Sequence, residues 1–142
     1  MKKAILLMIR LLLIWLYSYV AFSKWFAFQR FVRDMHNQPF ARWLADTLIG
    51  VLPPLELAVA VLLLFPRLVT WGFRLSVLLM GVFTLYVGAV LLRLFDRVPC
   101  ACGGFLSGLG WGQHLAVNLV LWVVSVVGWY LHKSREMKEM HA

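Results

Sequence analysis

The chain has 142 residues, 63% of them hydrophobic and 14% charged. A water-soluble domain carries about 45–50% apolar and about 25% charged residues, so this composition excludes one. The formal charge of +8 would point to nucleic acid only if the basic residues formed one face of a soluble module with stacking groups. They sit instead near the ends of apolar runs, where they meet headgroups and set topology, so membrane lipid is expected as a partner and nucleic acid is not.

In chain order, Met1-Lys2-Lys3 precedes a first apolar run over residues 4–22. Ala21-Phe22-Ser23 has the small-x-small pattern of a signal-peptide cleavage site. Arg10 interrupts the core, however, and Trp15, Tyr17 and Tyr19 crowd its far end, which favours a retained membrane span with Arg10 snorkelling toward Lys2 and Lys3. In the connection over residues 23–45, Trp25, Phe26, Phe28, Phe31 and Val32 alternate with Lys24, Arg30, Arg33 and Asp34. That is the pattern of an amphipathic helix lying in the interface, which Gln38-Pro39-Phe40 then breaks.

A second span over residues 44–65 contains Pro53-Pro54, which predicts a kink or a break tolerated by neighbouring helices. Glu56 follows at mid-span. In the third span, residues 71–95, Gly81, Thr84 and Gly88 fall near one face, the small-residue pattern of closely approaching membrane helices. A cysteine loop occupies residues 96–110. In the fourth span, residues 111–132, Trp111, His114, Asn118, Trp122, Ser125 and Trp129 recur at spacings of three and four and share one face. The expected architecture is an all-α polytopic membrane protein: one membrane domain over residues 1–142, a four-transmembrane-helix bundle with an interfacial helix between spans 1 and 2.

Four spans put both termini on one side and the cysteine loop on the other. Lys2, Lys3, Arg10, Arg67, Arg74, Lys133, Arg135 and Lys138 collect at the terminal side, against Lys24, Arg30, Arg33, Arg42, Arg93 and Arg97 opposite. The positive-inside rule then puts the termini in the cytoplasm of a bacterium and the loop in the periplasm, an oxidising compartment.

The reactive groups concentrate in that loop, where Cys100 and Cys102 are the chain's two cysteines. A disulfide requires Cα atoms about 4.4–6.8 Å apart, which residues i and i+2 reach only in a bent backbone such as Pro99 and Gly103-Gly104 allow. Such a small ring closes almost no loop and would stabilise little, whereas strained, exposed disulfides are the labile, exchanging ones. Two readings stand beside redox use: a soft ion such as Cu(I) with a methionine or His114 as third ligand, and inert buried cysteines. No second Cys/His pair completes a zinc site, and no metal site is expected. With two thiols only, the chain can exchange with a partner on one side or pass electrons to a bound quinone.

His114, one turn into the fourth span, can favour a thiolate nearby or shuttle its proton; the alternative is a packing histidine above Asn118. Glu56, an intramembrane carboxylate, can take protons released on thiol oxidation or bind a quinone oxygen. Its alternative is a protonated or paired glutamate capping backbone freed by the prolines. Asp34, Asp46 and Asp96 are expected in interfacial pairs with neighbouring arginines, and Tyr86 in a helix–helix hydrogen bond.

Pro99-Cys100-Ala101-Cys102-Gly103-Gly104, followed by Trp111-x-x-His114-x-x-x-Asn118, resembles the MauE branch of the DoxX-like membrane proteins in its Bacteroidetes-type form. Ser23-Lys24, Pro53-Pro54-Leu55-Glu56, Leu79-Met80 and Phe83-Thr84-x-Tyr86 extend the likeness over nearly the whole chain. Ala101 departs from it, since serine is frequent there. The resemblance implies a four-helix inner-membrane bundle and a periplasmic thiol–disulfide role, often beside thioredoxin-like proteins. The family's named member is associated with maturation of methylamine dehydrogenase, whose small subunit is rich in disulfides. The function expected is exchange between Cys100/Cys102 and a periplasmic thioredoxin-like or disulfide-containing protein, with Glu56 and His114 handling protons. The alternatives are a non-enzymatic subunit or assembly factor of a larger membrane complex, and a copper handler.

Overall fold

A computed structural model of the chain describes residues 1–95 and 110–142. Cys100, Cys102 and Asp96 lie outside the described residues. Five helices follow one another: α1 Lys2–Phe26, α2 Phe28–His36, α3 Arg42–Leu64, α4 Val69–Leu91 and α5 Trp111–Met140. All but α2 are long and apolar enough to cross a membrane, at 25, 23, 23 and 30 residues. At 1.5 Å per residue even the shorter ones exceed the roughly 30 Å hydrocarbon core. The protein is an all-α polytopic membrane protein.

The four long helices alternate in direction and form a ring in which α1 lies beside α3, α3 beside α4, α4 beside α5, and α5 beside α1. Leu13, Tyr17, Val59, Leu63 and Phe73 fill the centre, each at most 2% exposed. Leu7, Leu11, Leu78, Leu85 and Val120 point outward, as suits lipid. Since lipid tails are as apolar as leucine, such helices associate through close packing and interhelical hydrogen bonds. The glycines that allow it are mostly not those the spacing suggested. A Cβ at Gly128 would stand 2.5 Å from Phe73 and 2.8 Å from Ile9, and one at Gly72 would stand 2.9 Å from Leu63. Gly81 does lie under Trp122, at 3.2 Å, but Gly88 faces open space, and Thr84 bonds Met80 O of its own helix at 2.7 Å.

Pro53-Pro54 does not break α3, which is helical from Arg42 to Leu64. The prolines deprive the Ile49 and Gly50 carbonyls of donors; Gly50 has nothing within 4 Å of where a Cβ would stand, and the buried Pro53 and Leu52 hold the segment by packing. The interfacial helix α2 is also a packed one. Phe31 and Met35 are buried with Leu52 among Phe40, Leu48, Ile49 and Phe83, so α2 folds over α3 and touches α4.

Helix ends differ from the hydropathy boundaries. α1 continues to Phe26, and α5 runs past residue 132 to Met140. α4 stops at Leu91 although the apolar run continues to Phe95. The Arg93 N–H bonds Val90 O at 3.0 Å and the Leu94 N–H bonds Ala89 O at 3.1 Å, the paired bonds of a Schellman end. Arg93 takes the left-handed position at φ 54°, where glycine is usual.

Candidate functional site

The candidate site lies at the end of the bundle opposite the termini. α1 arrives there, α2 crosses it, α3 starts from it, α4 ends at it and α5 begins at it. Phe95 and Gly110, the described residues flanking the cysteine segment, therefore lie at that end too.

Below α2 the Lys24 ammonium donates to both oxygens of Glu56, at 2.7 and 2.9 Å. Lys24 is 14% exposed and Glu56 2%, and the ammonium lies 5.8 Å from the centre of the Phe31 ring. Lysine is in the last turn of α1, so its stem reaches down along the helix while Glu56 sits near the middle of α3. An ionised carboxylate this deep is costly alone and is tolerated when paired. Glu56 is thus paired with Lys24.

Deeper in the bundle Tyr17, Ser76 and Ser125 form a chain of hydroxyls. Tyr17 Oη stands 3.1 Å from Ser76 Oγ, Ser76 Oγ stands 2.9 Å from Ser125 Oγ, and the Ser125 hydroxyl also reaches Leu121 O at 2.9 Å. This ties α1, α4 and α5 through their centres.

Beside α2, the Tyr86 hydroxyl donates to Gln38 Oε1, and the Gln38 amide donates to Asp34 O at 3.0 Å. Gln38 is 2% exposed. The Tyr86 ring lies 5.3 Å from Phe40 and 6.0 Å from Phe95, so one tyrosine anchors both the α2–α3 connection and the residue from which the cysteine segment departs. Tyr86 thus hydrogen-bonds as expected, but to that connection. Asp46 pairs with His36 at 2.6 Å, not with an arginine; His36 is the last residue of α2 and Asp46 lies in the second turn of α3. Asp34 forms no ion pair among the described residues.

His114 is partly buried in the first turn of α5, with the Trp111 ring 6.3 Å away. Its Nδ1 is buried and has no hydrogen-bond partner among the described residues. No bond among them joins His114 to Glu56. Of the face shared by Trp111, His114, Asn118, Trp122, Ser125 and Trp129, Asn118 and Ser125 are buried, and Trp122 donates to Val77 O of α4 at 3.2 Å. Among the described residues no three His, Asp or Glu side chains stand close enough to hold a metal ion.

Lys24 as the counter-charge of Glu56 was signalled only by the rarity of each: one lysine at the end of a span, one glutamate inside the next. Tyr17 and Ser76 carried no such signal, since a tyrosine near a span end reads as an interface aromatic and a lone serine is common in membrane helices.

A ring of four helices long and apolar enough to cross a membrane, closed around a buried ion pair, defines a polytopic membrane protein. The model of the family described as methylamine utilisation protein MauE matches residues 2–131, and the chain belongs to that family. Neither the curated proteins nor the solved structures contain a match.

Proposed function

We propose that the chain is an inner-membrane accessory protein whose Cys100 and Cys102 exchange thiols and disulfides with a periplasmic partner, thioredoxin-like or disulfide-containing. In each exchange a thiolate attacks a disulfide sulfur, one S–S bond forms as another breaks, and the departing thiolate takes up a proton. Two such steps through a mixed disulfide transfer two electrons and two protons, leaving one dithiol oxidised and the other reduced. The termini are cytoplasmic and the cysteine segment periplasmic.

The observation that supports this reading is the buried Nδ1 of His114, which has no hydrogen-bond partner among the described residues, four positions after Gly110 in the sequence. An imidazole nitrogen without a partner is suited to take a thiol proton. Glu56, with both oxygens on Lys24, acts as a positioning residue that locks α1 to α3 beneath α2.

The test is thiol trapping in cells carrying Cys100→Ser or Cys102→Ser. One of the two variants should accumulate a mixed disulfide with the partner, and both should shift the partner's redox state. If neither variant changes the redox state of any co-purifying protein while the complex still assembles, the chain is a non-enzymatic subunit and the exchange reading is wrong.

A further inference from the structure

The opposite end of the bundle has a feature with no part in thiol chemistry. A cavity of about 230 Å³, half open to the outside, lies between the starts of α1 and α4 and the end of α5. At about 30 Å³ per water that is room for roughly seven waters, so it can accept a small polar headgroup.

Its charges are Lys3, Arg10, Arg135, Glu136 and Glu139. Both carboxylates already have protein partners: Glu139 takes Arg135 at 3.3 Å, and Glu136 accepts the Thr70 hydroxyl at 3.0 Å. The unclaimed donors are cationic. Arg10 uses Nε on Leu63 O and Nη2 on Leu64 O, at 2.7 Å for the latter; its Nη1 and the Lys3 ammonium make no hydrogen bond among the described residues. His132 also lines the cavity, its Nε2 3.5 Å from Glu136 without a hydrogen bond.

Depth identifies the occupant. Trp71 stacks under Arg74 at 5.0 Å and Trp129 under Lys133 at 5.8 Å, aromatic–cation pairs of the kind that mark the membrane–water boundary. The cavity is at the same end as these pairs, and its wall includes Leu7, which is 52% exposed and continues into the lipid-facing surface of α1. Cations at headgroup level above an apolar wall fit a phosphate carrying acyl chains. We infer that the cavity binds the phosphodiester headgroup of one anionic phospholipid, with Lys3 and Arg10 Nη1 as its donors, the guanidinium nitrogens of Arg135 that Glu139 does not hold beside them, and an acyl chain along Leu7. Basic pockets between membrane helices bind headgroups in this manner.

The experiment is native mass spectrometry of the full chain released from nanodiscs of phosphatidylglycerol or of phosphatidylcholine, with and without inorganic phosphate. The wild-type chain should retain one phosphatidylglycerol, and phosphatidylcholine more weakly. Lys3→Gln with Arg135→Gln should weaken retention about 30-fold, the worth of two basic residues at the surface. Leu7→Glu leaves every donor in place and sets a carboxylate in the cavity wall; it should also lower retention, and it carries the test if the double variant does not fold. Retention at wild-type level in the folded variants overturns the inference. Loss of the lipid to inorganic phosphate assigns the cavity to a free anion and overturns the lipid source.

Discussion

Removing one member of the Lys24–Glu56 pair separates a membrane-anchored charge from a stranded one. With the ammonium 2.7 and 2.9 Å from the carboxylate oxygens and the effective dielectric typical of proteins, the attraction is about 6 kcal/mol. Truncating one partner of a buried pair costs roughly 3–5 kcal/mol, while replacing both by apolar residues is often neutral. The two halves are not equivalent here. Lys24 is 14% exposed in the last turn of α1 and can swing toward the interface when Glu56 is gone; Glu56 is 2% exposed near mid-helix and has nowhere to go. Lys24→Met should therefore cost about 3–5 kcal/mol, Glu56→Leu clearly less, and the double variant should recover most of the loss. Reversible unfolding in bicelles, run as a double-mutant cycle, measures all three. Equal costs for the two single variants, or a double variant as unstable as Lys24→Met, would refute the claim that the carboxylate is the trapped charge.

The glycine contacts make a sharper pair of tests. Gly128→Ala should destabilise by about 1–3 kcal/mol through overpacking, because its Cβ would stand 2.5 Å from Phe73, while Gly88→Ala, with open space around it, should leave unfolding unchanged. Tyr17→Phe removes the first hydroxyl of the Tyr17–Ser76–Ser125 chain and should cost about 0.6 kcal/mol, at most about 1.7, the range of interhelical hydrogen bonds; a greater loss in the same unfolding assay would mean that the chain acts as a unit. His114→Ala should slow the thiol-trapping kinetics of Cys100 and Cys102 without altering the helical content seen by circular dichroism.

The spans were legible because about 20 apolar residues between charged flanks have one physical solution, a membrane helix. Contacts between spans were less so. Hydropathy does not say which faces meet, and the expected stripe of Gly81, Thr84 and Gly88 has the right residue types but only one contact, whereas Gly72 and Gly128 do the packing. The end of α4 was hidden because a left-handed cap usually announces itself as glycine and here is Arg93. Pro53-Pro54 suggested a kink or a break from local chemistry alone; the break does not occur, since α3 is helical from Arg42 to Leu64 with Pro53 buried and space at Gly50. At the site, Glu56 was recognisable by its cost in lipid, but its partner lies 32 residues earlier in the chain, beyond the reach of any local pattern.

Two cations of α1, Arg10 and Lys24, find their partners on α3. Arg10 holds the Leu63 and Leu64 carbonyls, and Lys24 holds Glu56. The two bonds lie toward opposite ends of α1, so they fix its register and tilt against α3 at two separated points. Because residues 56, 63 and 64 follow α1 in the chain, the helix reaches this set of partners only once α3 has been made, and until then its cations are left to snorkel toward the interface.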